Sequence, residues 1–299
     1  MRHKKGNKIN GWLIVDKPEG MGSTQVVNYT RRLFNAQKNG HAGTLDPFAT
    51  GVLPIAFGEA TKLLDFVTDG SKEYDFRLCF GEATDTGDCT GKVINTCDRI
   101  PGKDEIDEII KSFTGEIKQV PPQYSAIKIN GQRAYDLARQ GKDFVIAPRS
   151  VNIYELKCHN TEANYADFSL KCSKGTYVRS LGQDIALKLN SCGHLTKLRR
   201  TKCAIFSLQD TILLDNLKNM VYSTTDLLPL ETFLRGIAVM AVSEAEASKL
   251  MLGQALSPKG RENDFPLFSK AAAVCNGVLR AIVRIDERRI SPIRVFNLT

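Results

Sequence analysis

The residues best suited to chemistry in this chain of 299 residues lie in one short segment, 40–54. The segment places a carboxylate, Asp46, five residues after an imidazole, His41, among three glycines and before an apolar run. An Asp-Pro pair is typical of a turn, and Pro47 favours extended backbone at Asp46. Glycines let a backbone approach a bulky ligand closely. The segment therefore predicts a shallow loop that presents one acid to a ligand, although an isolated Asp-Pro pair is more often an ordinary turn.

Arg179 is the second residue that suggests chemistry. Apolar residues recur at helical spacing from Tyr177 to Leu189, so the sequence predicts a helix there with Arg179 in its first turn. The helix macrodipole disfavours a cation at this end, and an arginine placed there usually needs an anion. The residues alone leave open whether Arg179 pairs with a carboxylate of this chain, binds phosphate or faces solvent.

Strands and helices must position these two side chains. The apolar run Trp12 to Val15 predicts a short buried strand, and Ser23 or Thr24 is suited to cap the helix that follows. Four apolar residues alternate with polar ones from Tyr74 to Phe80, which predicts a strand with an aromatic face in the core. Further strands are predicted at 51–64 (with a turn), 151–158, 165–173 and 205–208, helices at 104–113 and 134–140, and a loop at 81–91.

The C-terminal part of the chain has a different pattern. A break is predicted near 234–236, followed by a helix at 242–252 that Gly253 closes. Glycine-punctuated strands are then predicted at 266–268, 271–274, 279–285 and 293–296. Strands and helices do not alternate regularly, which favours an α+β fold over a doubly wound one. We expect two domains, 1–235 and 236–299.

Composition narrows the function classes. The net charge of +8 suggests a polyanionic partner, because lysine and arginine clusters displace counterions from phosphates. Eight cysteines lack any Cys-x-x-Cys pair, so a structural zinc site is not expected, and scattered free thiols indicate a reducing compartment. No run is long enough for a signal peptide or a membrane span, so we expect a cytoplasmic protein. The basic residues cluster at Arg2, His3, Lys4, Lys5 and Lys8, and again at Lys197, Arg199, Arg200 and Lys202.

The motifs of this chain, in order, closely resemble those of the tRNA pseudouridine-55 synthases of the TruB family. The segment around Asp46 resembles the catalytic signature of that family, and the resemblance spans roughly residues 10 to 205. The matching strings are Val15-Asp16-Lys17-Pro18, Gly22-Ser23, Gly58-Glu59-Ala60-Thr61-Lys62, Lys72-Glu73-Tyr74, Gly81 to Asp88, Pro121 to Lys128, Gly175 to Leu181 and Leu198-Arg199-Arg200-Thr201.

The resemblance implies a fold and a reaction. The fold would be a catalytic domain with a mixed, largely antiparallel sheet, followed by a small β-rich, PUA-like RNA-binding domain. The reaction would convert uridine to pseudouridine at position 55 in the TΨC loop of tRNA, after the base is flipped out of its stack. This is an isomerisation, so it requires no metal, redox cofactor or energy source. The implied partner is the T-arm of tRNA, with no membrane, no obligate protein partner and a monomeric enzyme.

The resemblance also implies site residues. Asp46 would be the catalytic carboxylate, an anion that acts as a nucleophile or stabilises positive charge on the ribose. Arg179 would pair with it, and Tyr74 would stack on the target base and offer its phenol to the C5 proton. Tyr177 and Leu198 would line the uracil pocket. An acid–base role is open to His41, but the resemblance favours contact with the flipped nucleotide. Apart from the resemblance, Lys17, Lys62, Lys128, Arg199 and Arg200 are candidate phosphate contacts, although each of them taken alone is more often a solvated charge.

Two alternatives remain open from the sequence. One is a guide-RNA-dependent relative that carries the same motifs inside a ribonucleoprotein, although this chain has no long lysine-rich tail. The other is a tRNA-binding folding chaperone without catalysis. The presence of Asp46, Tyr74 and Arg179 argues against a silent protein but not against an additional folding role.

Overall fold

The structure is a computed structural model that describes residues 6–125, 127–129, 131–142, 144–218, 227–261 and 264–298. The basic residues Arg2, His3, Lys4 and Lys5 lie outside this range. The helices are α1 (Ser23–Leu33), α2 (Leu64–Asp69), α3 (Lys103–Lys111), α4 (Ala134–Arg139), α5 (Val178–Lys188) and α6 (Glu244–Met251). The strands are β1 (Gly11–Lys17), β2 (Asn39–His41), β3 (Thr50–Phe57), β4 (Lys72–Phe80), β5 (Glu82–Thr84), β6 (Val93–Thr96), β7 (Gly115–Gln119), β8 (Lys128–Ile129), β9 (Gln132–Arg133), β10 (Arg149–Glu162), β11 (Tyr165–Cys172), β12 (Gly193–Cys203), β13 (Phe206–Ser207), β14 (Ile212–Leu213), β15 (Ala238–Ala241), β16 (Lys270–Cys275), β17 (Val278–Ile285) and β18 (Ile290–Val295).

One large sheet organises the first two thirds of the chain. Its strand order is β14-β1-β3-β12-β4-β11-β10-β7, with β2 paired to β3 and β13 paired to β12. The β1–β14 and β3–β12 pairs are parallel, and the other pairs are antiparallel. The expected mixed, largely antiparallel sheet of an α+β fold is confirmed.

Both faces of this sheet are covered, which explains the unbroken apolar run in β1. Leu13 and Val15 point into a core shared with the helices α1, α3 and α5. Trp12 and Ile14 point into a second core on the opposite face. Because successive side chains of a strand alternate between faces, a strand buried on both sides must be apolar throughout.

A four-stranded sheet, β15-β16-β17-β18, forms the C-terminal part of the structure with α6 against it. This sheet also contacts the first part of the chain, because Phe296 is fully buried in the same core as Trp12. Polar contacts reinforce the junction. Lys62 Nζ donates to the Val295 carbonyl at 2.8 Å, and Glu59 Oε2 accepts from Asn297 N at 2.7 Å. The two sheets are therefore joined by a continuous apolar core with a polar rim.

Most of the predicted elements are confirmed within a few residues, including β1, β4, the β10–β11 pair and the helices α3, α4, α5 and α6. The predicted cap of α1 is wrong, because Gly22 occupies that position and Ser23 bonds elsewhere. The 81–91 loop contains the short strand β5, which pairs with β6. Residues 266–268 form turns, not the expected strand.

The largest omission of the sequence prediction is β12, which lies between β3 and β4 near the centre of the sheet. Its sequence from Gly193 to Cys203 carries five basic residues including His194, so it lacks the apolar alternation of a strand. Four of these residues are half-buried or buried: His194, Arg199, Arg200 and Lys202. Tertiary contacts therefore accommodate charges in a strand that local sequence rules assign to the surface.

No helix among the described residues is long and apolar enough to cross a membrane.

The contact between β3 and β12 gives the first testable prediction. Gly51 has φ +101°, and a Cβ on it would overlap the Arg200 carbonyl oxygen and lie 2.9 Å from the Arg200 nitrogen. We expect Gly51→Ala to lower the free energy of unfolding by about 3 kcal/mol, measured by urea denaturation, because the two strands must separate.

A matched control separates this overlap from backbone strain. Gly253 also has positive φ, +81°, but a Cβ there meets nothing within 4 Å. Gly253→Ala should cost only about 1–2 kcal/mol, the cost of the left-handed backbone. Equal losses in the two variants would show that the strand contact does not control stability.

Candidate active site

The loop between β2 and β3 is held by hydrogen bonds to its backbone, so its one carboxylate has a fixed position. Ser23 Oγ donates to the Leu45 carbonyl at 2.9 Å and accepts from Leu45 N at 2.8 Å. Gly20 N donates to the Pro47 carbonyl at 2.8 Å. The residues on both sides of Asp46 are thus tied to the segment between β1 and α1. Asp46 itself keeps 38% of its side chain exposed.

Two buried cations donate hydrogen bonds to the backbone of the same loop and of the residues around it. Lys17 is fully buried, and its Nζ donates to the carbonyls of Pro18, Met21 and Pro47 at 2.7–3.1 Å. Arg200 is also buried and donates to the carbonyls of Gly43, Thr44 and Val52. Burial lowers the pKa of Lys17 to about 8. Carbonyl oxygens satisfy both cations, which offsets the cost of removing their charge from water.

Arg179 lies in α5, two residues after its N-cap Tyr177, and its side chain is 4% exposed. Its Nε donates to Asp46 Oδ2 at 2.8 Å. Its two terminal nitrogens donate to the carbonyls of Thr86 and Tyr124 at 2.7 and 2.8 Å. One guanidinium therefore joins α5 to three separate segments of the chain, and the predicted Asp46–Arg179 pair is present in the structure.

A second carboxylate, Asp88, also lies close to Arg179. Its Oδ2 is 3.7 Å from Arg179 Nε, and its side chain is 6% exposed. Asp88 Oδ1 accepts from the hydroxyls of Thr86 and Thr90 at 2.8 and 2.5 Å. The hydroxyls stabilise this carboxylate, and both acids approach the same nitrogen, Nε, of the guanidinium.

The electrostatics of Asp46 reflect opposing influences. The loss of water around the Asp46 carboxyl raises its pKa, and the neighbouring charge of Asp88 adds to this rise. The Arg179 guanidinium opposes the rise through its charge and its hydrogen bond, and Lys17 opposes it through its charge. The position of Arg179 therefore decides how readily Asp46 carries a negative charge.

Two clefts meet at Asp46, and both are also lined by Arg179 and Tyr177. The smaller cleft, of about 170 Å³, has Tyr74 and Leu198 in its wall. The larger cleft, of about 630 Å³, extends between α1 and the segment that carries α4. Its further lining residues include Asp88, Tyr124, Arg133, Tyr135 and Arg139.

The two tyrosines of the smaller cleft come from different elements. Tyr74 is in β4, opposite Arg200 of β12, and burial raises the pKa of its phenol to about 12. Tyr177 caps α5, and burial also raises its pKa. Both phenols therefore keep their protons at neutral pH. The five residues that the resemblance implies as catalytic or uracil-contacting groups line this one cleft: Asp46, Tyr74, Tyr177, Arg179 and Leu198. Arg200 lines it as well.

Most of the residues predicted to contact phosphate have other partners in the structure. The interpretation of Lys17 and Arg200 as phosphate contacts is wrong, because both side chains are buried and bonded to carbonyls. Arg199 pairs with Asp16 through two bonds of 2.6 and 3.1 Å, and Lys62 bonds to Glu59 and Val295. Lys128 is exposed in β8 but lines neither cleft.

His41 lies at the end of β2 and lines neither cleft. Its Nδ1 is buried without a hydrogen-bond partner among the described residues. Burial lowers the pKa of the imidazole, and the charges of Arg200 and Arg133 lower it further. A neutral imidazole beside two arginines is the state that this environment favours.

Sequence reasoning missed Asp88, Thr86, Arg133 and Arg139. The string Gly81 to Asp88 contained a signal for the first two, since threonines and aspartates cluster there, but nothing local connects them with a helix ninety residues later. The described residues contain no group of three or more His, Cys, Asp or Glu side chains placed to hold a metal ion.

Two models of one protein family match this chain. Residues 31–178 match the family described as TruB family pseudouridylate synthase (N terminal domain), and residues 179–238 match the tRNA pseudouridylate synthase B C-terminal domain. The tRNA pseudouridine synthase B of Caulobacter vibrioides is 42% identical, over 100% of this chain and 99% of the relative. Those of Bradyrhizobium diazoefficiens and Rhodospirillum rubrum are 45% and 44% identical, over 100% and 99% of this chain and 91% and 99% of the relatives.

Solved structures share the fold at lower identity. A chain of an H/ACA ribonucleoprotein bound to a substrate RNA containing 2′-deoxyuridine aligns with a TM-score of 0.73 at 21% identity, covering 96% of this chain and 85% of that chain. A chain of a Cbf5-Nop10-Gar1 complex aligns with a TM-score of 0.73 at 23% identity, covering 96% and 84%. At this identity the likeness shows the fold alone.

The charges on either side of Asp46 predict opposite effects of two substitutions. Arg179→Met removes the opposing cation, so the pKa of Asp46 should rise further. Asp88→Asn removes a neighbouring negative charge, so the pKa of Asp46 should fall. The measurement is a carboxyl ¹³C NMR titration of Asp46 in each variant. Shifts of the same sign in both would contradict this electrostatic account.

Proposed function

The chain belongs to the TruB family of pseudouridylate synthases and so makes pseudouridine in tRNA, and on that premise we propose that it modifies position 55 in the TΨC loop, flipping the target uridine out of its stack. The observation that carries the proposal is the half-exposed Asp46 carboxylate, paired with the buried Arg179 at the meeting point of two clefts. A base in a structured loop reaches a recessed carboxylate only after it leaves the stack, at a cost of a few kcal/mol.

The reaction is balanced without a co-reactant. The N1–C1′ bond of the uridine breaks, the detached uracil turns, and a bond forms between C5 and C1′. The proton that leaves C5 is matched by one that N1 gains. The chemistry needs an anionic oxygen beside the sugar–base junction, which acts as a nucleophile or stabilises positive charge on the ribose.

Asp46 is proposed as that anionic oxygen. Its Oδ2 accepts from Arg179, and the other oxygen has no hydrogen bond to the part of the chain that the structure describes, so it can meet the substrate. The hydrogen bonds of Leu45 and the buried Lys17 fix the loop, so the carboxylate needs little reorganisation when substrate binds. Attack at C6, attack at C1′ and a glycal route all use this same oxygen.

Arg179 is proposed to hold Asp46 ionised and aimed, and Asp88 to hold Arg179. The support is the set of contacts: Nε donates to Asp46 at 2.8 Å and lies 3.7 Å from Asp88, while Nη1 donates to the Thr86 carbonyl of the same segment as Asp88. Because the arginine bonds to fixed carbonyls, it cannot follow a mobile substrate phosphate. Its position favours a role toward Asp46.

The smaller cleft is proposed to receive the flipped uracil. Its volume suits a single pyrimidine, and Tyr74, Tyr177 and Leu198 supply flat or apolar walls. Tyr74 is proposed to stack on the base and to offer its phenol oxygen to the C5 proton. A phenol with a pKa of about 12 keeps its own proton at neutral pH, so that transfer requires a relay to a neighbour.

The larger cleft is proposed to hold the T-arm around the flipped nucleotide. Arg133 and Arg139 are exposed on its rim, where they can pair with phosphates. These two replace Lys17 and Arg200 as phosphate contacts, while Lys128 stays a proposed contact outside the cleft. His41 is proposed to contact RNA as a neutral imidazole, since its surroundings disfavour the charged form.

Two domains, 1–235 and 236–299, are proposed, the second as an RNA-binding module of the PUA-like type. Its four-stranded sheet and its junction through Phe296 support a unit that keeps a fixed position relative to the catalytic sheet. We further propose that a monomer acts on tRNA without an obligate protein partner. Activity on bare tRNA transcript distinguishes this from the guide-RNA-dependent alternative.

The central test uses tRNA transcript tritiated at uridine C5. Wild type should release the tritium of position 55 stoichiometrically. Asp46→Asn should release it at least about 10³-fold more slowly, because the substituted amide is neither an anion nor a nucleophile. The tritium release rate and a filter-binding Kd for tRNA are measured together.

The control for Asp46→Asn is Asp65→Asn, because the side chain of Asp65 is 80% exposed and lines neither cleft. It should release tritium at the wild-type rate. Normal release by Asp46→Asn would refute the catalytic role. If Asp46→Asn lost tRNA binding as well as tritium release, a folding or binding role for the loop would be favoured instead.

A second test separates the ring of Tyr74 from its oxygen. Tyr74→Phe keeps the aromatic surface but loses the phenol, so we expect an unchanged Kd and a turnover rate lowered by about 10²–10⁴-fold. Tyr74→Leu should weaken binding as well, because stacking is lost. Wild-type turnover by Tyr74→Phe would assign the residue to stacking only.

A further inference from the structure

Two thiols meet at the base of the hairpin formed by β5 and β6. Cys97 follows β6 directly, Cys192 precedes β12, and their sulfur atoms are 3.4 Å apart. Both side chains are partly exposed. Gly81 bridges the two residues, because Cys97 N donates to its carbonyl and its own N donates to the Cys192 carbonyl, each at 2.9 Å. A disulfide of about 2.05 Å thus requires a movement of only roughly 1.4 Å between sulfurs that the backbone already holds together.

The two sulfurs have different environments. The Cys97 sulfur accepts from Cys192 N at 3.2 Å and from the Cys192 thiol, and the Ser191 hydroxyl lies 3.6 Å away. These contacts lower the pKa of Cys97, with that of the Ser191 hydroxyl the largest. Burial and the neighbouring Cys97 raise the pKa of Cys192 to about 11. Since the thiolate is the nucleophile, Cys97 is the attacking sulfur and Cys192 the resolving one.

We propose that Cys97 and Cys192 form a reversible redox site that a hydroperoxide oxidises to a disulfide. The Cys97 thiolate attacks the nearer peroxide oxygen, the O–O bond breaks, and the leaving alkoxide or hydroxide takes a proton. The Cys192 sulfur then attacks the resulting sulfenic acid, the S–O bond breaks, and hydroxide leaves with the Cys192 proton as water. Two thiols are oxidised, and the hydroperoxide is reduced to water and an alcohol, or to two waters.

The disulfide connects with the site already described through the hairpin itself. The turn between β5 and β6 carries the Thr86 carbonyl and Asp88, which hold Arg179. Cys89 N and Gly87 O bond to Leu195 of β12, so the turn is already attached to this strand at one end. A bond between Cys97 and Cys192 fixes the other end. Oxidation therefore stiffens the element that positions Arg179 without touching a residue of either cleft.

The other thiols are poorer targets. Cys79, Cys89 and Cys158 have their pKa values raised by burial, so they hold less thiolate. Cys172, Cys203 and Cys275 are buried. Low peroxide should therefore oxidise the Cys97–Cys192 pair before the remaining six cysteines.

The test treats the full-length protein with hydrogen peroxide, labels remaining thiols with N-ethylmaleimide under denaturing conditions and measures intact mass. After treatment, six of the eight cysteines should react with N-ethylmaleimide. Before labelling, the mass of the oxidised protein should be lower than that of the reduced protein by two hydrogen atoms. Reduction with dithiothreitol should restore eight reactive thiols. Non-reducing peptide mapping should join the Cys97 and Cys192 peptides. Eight labelled thiols after treatment, or a disulfide between other residues, would overturn the proposal.

Variants identify the order of attack. Cys192→Ser should stop at a Cys97 sulfenic acid that dimedone traps, and Cys97→Ser should give neither adduct nor disulfide. Cys158→Ser, the matched control, should oxidise as wild type does. A dimedone adduct on Cys192 in the Cys97→Ser protein would reverse the assignment and refute it. None of these readouts depends on the RNA reaction.

Hydrogen–deuterium exchange tests the coupling to the hairpin. Amides of residues 82–96 should exchange several-fold more slowly in the oxidised protein than in the reduced one, because the disulfide restricts local opening. Amides of α6 serve as the internal control. Equal exchange in the two states would overturn the connection between the thiols and the hairpin.

Discussion

A buried guanidinium at the start of a helix is the constraint on which the site depends. Arg179 faces an unfavourable helix dipole and loses almost all its hydration, so it needs acceptors supplied by the protein itself. It obtains these acceptors from Asp46, from the carbonyls of Thr86 and Tyr124, and from the charge of Asp88. Each hydrogen bond to a charged group contributes roughly 1.5–3 kcal/mol. Four segments that are distant in sequence are assembled because one cation requires them together.

Buried cations also support the loop that carries Asp46, but their hydrogen-bond acceptors are backbone carbonyls and not carboxylates. Lys17 and Arg200 are buried and bond to main-chain carbonyls, and Lys72 bonds similarly to the carbonyls of Val67, Thr68 and Gly70. Carbonyls satisfy the hydrogen bonds of a cation without cancelling its charge. Of these cations, Lys17 acts with Arg179 to oppose the effect of burial, which raises the pKa of the Asp46 carboxyl.

Local sequence rules predicted an element correctly where its apolar residues lie on one face that is buried in the core. The alternation from Tyr74 to Phe80 and the helical spacing from Tyr177 to Leu189 both gave the correct structure, because the core lies on one defined face. They failed at β12, whose charges are accommodated by partners on β3 and on the Asp46 loop. They also failed at Ser23, a residue suited to cap a helix that instead bonds to Leu45. In each failure a long-range hydrogen bond replaced the local one.

The sequence by itself determined the α+β class, the family resemblance and five residues that surround one cleft. Those inferences rest on residue type, spacing and order, which a single chain records directly. Tertiary structure alone decided that Lys17 and Arg200 hold carbonyls, that Asp88 supports Arg179, and that Cys97 meets Cys192. The reason is physical: whether a charge or a thiol faces water, a carbonyl or another side chain depends on which distant segment packs against it, and no local pattern specifies that partner.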